Sequence, residues 1–176
     1  MAPTTNNTTW TAPRTWTVGE LVTASIMNAH VRDNLTALHV PAGGYNYLNL
    51  GANIDTTSTT FVDVDATNLA LTFTTGGGDV LFGFVGSLAA AINYFFDVYE
   101  SVVAARIGGD DGIFRTGSAT ANLNFPCSFV IRIPSVTAAA HTFTLQWKVL
   151  SGTGTLYAGA GTANLDLHSH IWAFEL

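Results

Sequence analysis

Hydrophobic and polar residues alternate most regularly between residues 141 and 150, where the chain reads HTFTLQWKVL. One set of alternate positions is polar, and the other carries the large apolar side chains Phe143, Leu145, Trp147 and Val149. Such alternation is typical of a β-strand that is buried on one face. Because four large side chains on one face need a second sheet to cover them, the stretch predicts a sandwich or a barrel.

Further strands are predicted on both sides of this stretch, each bounded by clusters of turn-forming residues. They cover residues 61–66, 69–75, 79–90, 94–103, 113–119, 127–133, 155–158 and 165–174. No helical pattern separates them, so a parallel α/β sheet is excluded. Residues 59–176 are therefore predicted to form an antiparallel β-sandwich or jelly roll, and the fold class is mainly β.

Three segments precede the predicted sandwich. Residues 1–22 form an extended arm, because their first part is rich in Thr, Asn and Pro and cannot build a core. The indoles of Trp10 and Trp16 either anchor this arm on a partner protein or fold back on the domain. Residues 23–40 are predicted to be helical. Residues 41–58 are rich in glycine and threonine, which indicates a linker of turns with one short strand at residues 45–50.

The predicted helix carries an apolar stripe at spacings of four, four and three residues: Met27, Val31, Leu35 and Leu38. Thr23 is a candidate N-cap and Pro41 ends the helix. A helix of about four turns is marginal alone in water, so the stripe needs a partner. It packs either on the β-domain or on copies of itself around an axis.

Residues 79–90 are apolar on both faces, whereas a sandwich strand is usually polar on its outer face. This pattern predicts that a second subunit covers one face. The candidate interface residues are Leu81, Val85, Phe82 and Phe84, together with Phe96 of the following strand. The alternative is that the N-terminal helix provides the cover.

Composition supports self-association, since only 10% of the 176 residues are charged and 48% are hydrophobic. A surface rich in Thr, Asn and Ser is the alternative explanation. The net charge is −6 and the six basic residues are scattered, which argues against direct binding of nucleic acid. The single cysteine, Cys127, is expected to be a small buried side chain.

The sequence also argues against a membrane protein or a secreted one. The longest apolar run, residues 80–92, is interrupted by glycines and is too short to cross a bilayer. The first residues have neither the basic start nor the apolar core of a signal peptide, which predicts synthesis in a cytoplasm.

One motif suggests metal chemistry. His168 and His170, followed by Glu175, resemble part of the cupin pattern, in which two imidazoles and a carboxylate bind a metal. However, Thr162 stands where a cupin has glycine, and His141 is the one distant histidine that could be a third ligand. His168 and His170 are therefore candidate metal ligands, with a subunit contact or a wet sheet face as the alternative. A cupin-like metalloenzyme is the corresponding third hypothesis for the function.

Other chemical motifs are weak. The glycine-rich segments 76–79 and 108–112 do not lie between a strand and a helix, so they predict hairpin turns and not a phosphate site. The chain has no G-x-S-x-G motif. No catalytic or cofactor-binding residue is assigned, and the expectation is a protein that is not an enzyme and has no cofactor.

Two segments resemble a known family. Residues 15–38, TWTVGELVTASIMNAHVRDNLTAL, resemble a leader of tailed-bacteriophage structural proteins that reads W-x-x-G-E-x-V-T-A-S-x-x-N-x-x-x-R-D-N-x-x-x-L. Residues 141–157 and the final IWAFEL are similar to the last strands of small phage virion domains. Those domains adopt a jelly roll like that of tumour necrosis factor and the complement heads, which form trimers.

This resemblance implies a virion structural protein, and specifically a homotrimer. The expected role is a capsid decoration or cement protein that binds the major capsid protein or other virion proteins and stabilises the shell. Its expected partner-binding residues lie in the arm and helix: Trp10, Trp16, Met27, Val31 and Leu35. The alternative is the head of a tail fibre that binds a host receptor or glycan.

Overall fold

The computed structural model describes residues 4–6, 11–12, 14–89, 92–117, 124–159 and 167–176. Two antiparallel β-sheets face each other, and a helix precedes most of their strands in the chain. In chain order the strands are β1 (Thr4–Asn6), β2 (Gly43–Tyr47), β3 (Ile54–Thr56), β4 (Val62–Asp63), β5 (Ala70–Thr74), β6 (Gly78–Ala89), β7 (Asn93–Glu100), β8 (Ala105–Arg106), β9 (Phe114–Gly117), β10 (Phe125–Val136), β11 (Ala140–Val149), β12 (Gly154–Leu156) and β13 (His170–Glu175). The predicted class, a mainly β jelly-roll sandwich preceded by a short helix, is confirmed.

The strands divide into a larger and a smaller sheet. In the larger sheet the order is β1-β2-β13-β6-β12-β3, and β10 pairs with β6. In the smaller sheet the order is β4-β11-β7-β8, with β5 paired to β11 and β9 paired to β7. Each sheet thus joins strands that are distant in sequence, as in β6 beside β13.

Two segments differ in detail from the prediction. Residues 41–58 contain two short strands, β2 and β3 of the larger sheet, where one was expected at residues 45–50. The predicted strand 94–103 ends at Glu100, because its carboxylate accepts hydrogen bonds from the backbone N–H groups of Val102 and Val103 and so closes a turn. Residues 118–119 and 165–166 of the predicted strands lie outside the described residues.

The core lies between the inner faces of the two sheets. As the alternation of residues 141–150 predicts, Phe143, Leu145, Trp147 and Val149 are all buried. They meet Phe73, Phe82, Phe84, Tyr94 and Phe96 from neighbouring and facing strands. Cys127 is also buried, and this burial raises the pKa of its thiol to about 12.

The N-terminal helix runs over residues 24–39 as Ala24–Met27, a π-helical segment Asn28–Arg32, and Asp33–His39. Thr23 is the N-cap, since its hydroxyl accepts a hydrogen bond from the Ile26 N–H. The predicted helix is confirmed, whereas its π-helical segment was not predicted. No helix in the described ranges is long and apolar enough to cross a membrane.

Candidate partner-binding surfaces

The first candidate surface is the outer face of the larger sheet. Phe82 and Phe84 point into the core, so period-two alternation directs Leu81 and Val85 outward. The neighbouring strands place further rings on this face. We define the aromatic face as Tyr45, Tyr47, Leu81, Val85, Val130, His170, Trp172 and Phe174.

Part of the aromatic face is exposed in the portion of the chain that the structure describes. Val85 is 46% exposed and Val130 is 56% exposed. Their exposure shows that the N-terminal helix does not cover them, so the alternative explanation for the doubly apolar strand fails at these two positions. Arg132 also lies on this outer face, opposite Leu81 in the pairing of β10 with β6, and its guanidinium pairs with Asp79 near the start of β6.

The predicted subunit interface is thus partly wrong. Phe82, Phe84 and Phe96 are buried between the two sheets of their own domain, so they cannot contact a second subunit. Sequence alternation identifies two faces but does not say which one is inside. Leu81 and Val85 lie on the outer face, and their role in an interface stays a prediction.

Trp172 forms the flat centre of the aromatic face. It lies beside Gly83 in the strand pairing, and a Cβ atom added at Gly83 would be 2.2 Å from the indole ring. The ring stacks on Phe174, with centroids 5.5 Å apart and an interplanar angle of 16°. The absent side chain at Gly83 therefore lets the indole lie flat on the sheet.

A cluster of tyrosine and histidine rings occupies the other end of the face. The Tyr45 hydroxyl lies 2.9 Å from His170 Nδ1, and Tyr47 stacks on His170 with centroids 5.6 Å apart. His168 packs edge-on against Tyr47 with its Nδ1 2.7 Å from the Leu48 carbonyl oxygen. Burial and the neighbouring His168 lower the pKa of His170.

The structure does not bring the candidate metal ligands together with a third ligand. Among the described residues no group of three or more His, Cys, Asp or Glu side chains is placed to hold a metal ion. His141, the suggested third ligand, lies in the other sheet with its Nδ1 2.6 Å from Glu100 Oε1. Its Nε2 lies 2.8 Å from the Thr137 carbonyl oxygen, so both ring nitrogens are engaged.

Glu100 and His141 form a buried pair at the edge of the core. Burial alone would raise the pKa of Glu100, but hydrogen bonds from His141 and from the N–H groups of Val102 and Val103 outweigh it and hold the pKa below its ordinary value. Glu100 is 2% exposed and His141 is 1% exposed. The pair fixes the turn that follows β7, which is a structural role.

The second candidate surface is the stripe of the N-terminal helix. Its four members, Met27, Val31, Leu35 and Leu38, are all exposed. The next side of the helix is closed: Asn34 is buried, and it exchanges two 2.8 Å hydrogen bonds with the backbone of Thr11. The stripe therefore does not pack on the β-domain, which removes one of the two predicted positions for it.

The third candidate surface is a turn in the arm before the helix. Glu20 accepts hydrogen bonds from Arg14 and Thr17, and Gly19 adopts a positive φ of 81° that closes the turn. Arg14 packs over the ring of Trp16, 5.1 Å from the centroid to the guanidinium carbon. Val18 projects fully exposed from the turn.

Trp16 is 47% exposed, and the contact given for its ring is with Arg14 of its own turn. A role in binding a partner stays a prediction. Trp10, the other predicted anchor of the arm, lies outside the described residues.

A groove joins the helix to the aromatic face. It has a volume of about 400 Å³ and is lined by Ala37, Leu38, Pro41, Ala42, Gly76, Gly77, Phe174, Glu175 and Leu176. Leu38 belongs to the stripe and Phe174 to the aromatic face. The end of the stripe and the end of the aromatic face thus line the same groove, together with the carboxylate of Glu175.

Sequence reasoning missed most of the aromatic face. Tyr45, Trp172 and Phe174 occupy alternate positions in GGYNY and HIWAFE, and this spacing is the signal that could have identified them. Their strands are far apart in the chain, so only the pairing of β2, β13 and β6 shows that the rings share a face.

Comparison with known proteins gives distant structural similarity. No protein-family model and no curated protein sequence matches the chain. The chain is similar to Eiger TNF from S. frugiperda, with 10% identity, a TM-score of 0.46, and coverage of 76% of this chain and 91% of that one.

Two viral proteins are also similar. The first is that of infectious bursal virus-derived T=1 particles, with 8% identity, a TM-score of 0.39 and 76% of this chain covered. The chain spans 36% of the length of that protein. The second is a pentameric capsid protein isolated from metagenomic phage sequences, with 14% identity, a TM-score of 0.23, and 74% and 61% coverage. At these scores the likeness says nothing of what this chain does.

Proposed function

We propose that the protein is a non-enzymatic structural component of a virion. It self-associates as a trimer through the aromatic face and attaches to the capsid through its N-terminal arm, as a decoration or cement protein does. The observation that carries the proposal is the exposed apolar surface of the aromatic face and of the helix stripe, which border one groove.

The chemistry of the aromatic face fits contact with copies of the same chain. Aromatic rings are enriched in interfaces, and interface cores are poor in charged residues. Trp172 and Phe174 are already fixed by stacking on each other, so little side-chain entropy is lost when a partner covers them. The choice of a trimer comes from the resemblance of residues 141–157 to trimeric phage domains.

The arm fits attachment to a different protein. The Arg14–Glu20 ion pair holds the turn in one shape, which presents Val18 to solvent. The following residue Leu21 is 80% exposed. Val18 and Leu21 fall within residues 15–38, which resemble the leader of phage virion proteins. A small exposed apolar surface of this kind suits contact with a shell protein.

The mass of the purified protein tests self-association. Native mass spectrometry at micromolar concentration is expected to give three times the chain mass of 18.6 kDa. A stable monomer under these conditions would contradict the proposal.

Particle binding tests attachment. The double variant Val18→Asp/Leu21→Asp is expected to remain a trimer and to bind capsids that lack the protein roughly tenfold more weakly or worse, because a carboxylate cannot enter an apolar contact without cost. The control is Val103→Asp, at a 72% exposed position in the turn after β7. Equal binding by both variants would remove the arm from the attachment site.

A second candidate function is a receptor-binding head that recognises a glycan. A groove of about 530 Å³ on the smaller sheet favours it, because Tyr99 lies there beside the polar side chains of Thr59 and Gln146. Rings beside hydroxyl and amide groups are typical of sugar sites. Binding on a glycan array that Tyr99→Ala abolishes, with the protein located at the tail by microscopy, would favour this function over capsid decoration.

A further inference from the structure

The helix stripe is exposed among the residues that the structure describes, and its surroundings indicate what covers it. We infer that the stripe packs against the same stripe of the other copies, so that the N-terminal helices form a bundle at the axis of the oligomer. This inference rests on the proposed self-association and deepens it. It leaves the arm turn at Val18 as the contact with the shell.

The stripe has the properties of a helix–helix contact. Leu35 is 61% exposed and Leu38 is 69% exposed, and both continue the line begun by Met27 and Val31. Spacings of four and three residues keep such side chains on one side of a helix, as in helical bundles. The stripe itself carries no charge.

The border of the stripe does not oppose association of identical copies. Arg32 and Asp33 lie beside it and pair with each other, with Nε and Oδ1 2.8 Å apart. The local net charge of this pair is zero, so copies placed side by side do not bring unpaired like charges together. This neutrality favours contact between identical copies, because contact with a different protein of the shell would not require the two charges to cancel.

Proximity to the aromatic face favours a second copy over the shell. Leu38 and Phe174 line the same groove, so the end of the stripe lies next to the aromatic face. A copy that contacts Trp172 and Phe174 is therefore close to Leu38. The groove of about 400 Å³ beside Leu38 then offers space for an apolar side chain of the neighbouring copy.

A cysteine cross-link tests the inference on the full chain. Leu35→Cys places a thiol in the stripe, and Thr36→Cys places one at the next position, which is also exposed but outside the stripe. The native Cys127 is buried, and its raised pKa keeps it from competing for oxidation. Each variant is first weighed by native mass spectrometry and then oxidised mildly.

The expected result is a covalent dimer band for Leu35→Cys on a non-reducing gel, with roughly tenfold less for Thr36→Cys, because a disulfide needs Cβ atoms about 4 Å apart. Equal, weak cross-linking in variants that are oligomers would overturn the inference and leave the proposed function intact. Cross-linking of Leu35→Cys to a shell protein, when capsids are added, would also overturn it. A monomeric mass would instead defeat the proposed function.

A charged substitution in the stripe provides a second test, which measures association and does not depend on disulfide geometry. Leu35→Asp is expected to raise the dissociation constant of the oligomer roughly tenfold or more, since bundled helices would bury the carboxylates together. Thr36→Asp is the matched control and is expected to associate as the native protein does. Native association of Leu35→Asp would overturn the inference.

Discussion

The two outer faces of the sandwich both carry aromatic side chains, but in the described part of the chain cationic side chains cover the rings on only one of them. On the smaller sheet, Lys148 lies 4.9 Å from the ring centre of Phe61 and 5.1 Å from that of Phe95. Arg106 and Arg115 cover the same two rings at 4.3 Å and 5.3 Å. On the larger sheet, the rings of Trp172 and Phe174 contact each other and no cation–π pair is found among the described residues of that face.

This difference indicates which of the two outer faces is suited to contact with solvent. Long cationic side chains lay their apolar stems on a ring and keep the charge in solvent, so they complete a surface. The chain has six basic residues, and three of them serve the outer face of the smaller sheet. The aromatic face of the larger sheet lacks this cover, so we propose that a second copy supplies it.

The largest expected effect concerns the buried pair at the end of the smaller sheet. Glu100→Gln is expected to lower the free energy of unfolding by about 3 kcal/mol at pH 7, because it replaces a buried carboxylate that is hydrogen-bonded to His141 and to the N–H groups of Val102 and Val103. If the smaller sheet is complete within one copy, the oligomer mass stays unchanged. Urea unfolding and native mass spectrometry measure the two quantities.

The same variant has a defined pH dependence. The folded-state pKa of Glu100 is lowered, so its ionised form stabilises the fold above the unfolded pKa of about 4.3. That contribution is lost as the pH falls through the lower folded-state pKa. The difference in free energy of unfolding between the native protein and Glu100→Gln should therefore become smaller in that range. Asp111→Asn, at a side chain that is 84% exposed, is the control. A constant gap from pH 7 to pH 3 would contradict the expectation.

The next effect contrasts two exposed valines, one on the aromatic face and one in the turn that follows β7. Val85→Asp is expected to raise the dissociation constant of the oligomer roughly 100-fold, about 2.7 kcal/mol, because a carboxylate would be buried in the interface. Val103→Asp, in the turn of the smaller sheet, is expected to leave it unchanged. Sedimentation equilibrium gives both values. Equal association of the two variants would mean that the aromatic face is a solvent surface.

A smaller effect is expected where Trp172 lies on Gly83. Gly83→Ala forces the indole away, since the new Cβ would be 2.2 Å from it, and should cost about 1–2 kcal/mol in stability. It should also weaken association and change tryptophan fluorescence. Gly109→Ala is the control, because nothing lies within 4 Å of a Cβ there. Native association of Gly83→Ala would show that the flat indole is not part of the interface.

The smallest effect is expected at Lys148. Lys148→Met keeps the apolar stem but removes the charge above Phe61 and Phe95, and should lower the free energy of unfolding by about 0.5–1 kcal/mol. Thermal and urea unfolding measure the change. Association should not change. A weaker oligomer would mean that the smaller sheet also takes part in the interface.

Local pattern predicted much of the fold. The alternation at 141–150 correctly identified a half-buried strand, since period two is a property of the strand itself. The helical spacing and Thr23 likewise predicted the helix and its cap. The short strand expected at residues 45–50 corresponds to β2, but its place in the larger sheet was not predicted, because it depends on pairing with the distant strand β13.

The sequence by itself determined that the chain is mainly β, with a sandwich preceded by a helix, and that residues 79–90 are apolar on both faces. Only the tertiary structure decided that Phe82 and Phe84 are inside while Val85 is outside, and that Trp172 lies on Gly83. The physical reason is that alternation defines two equivalent faces of a strand. Which face is buried depends on pairing and packing between residues that are far apart in the chain.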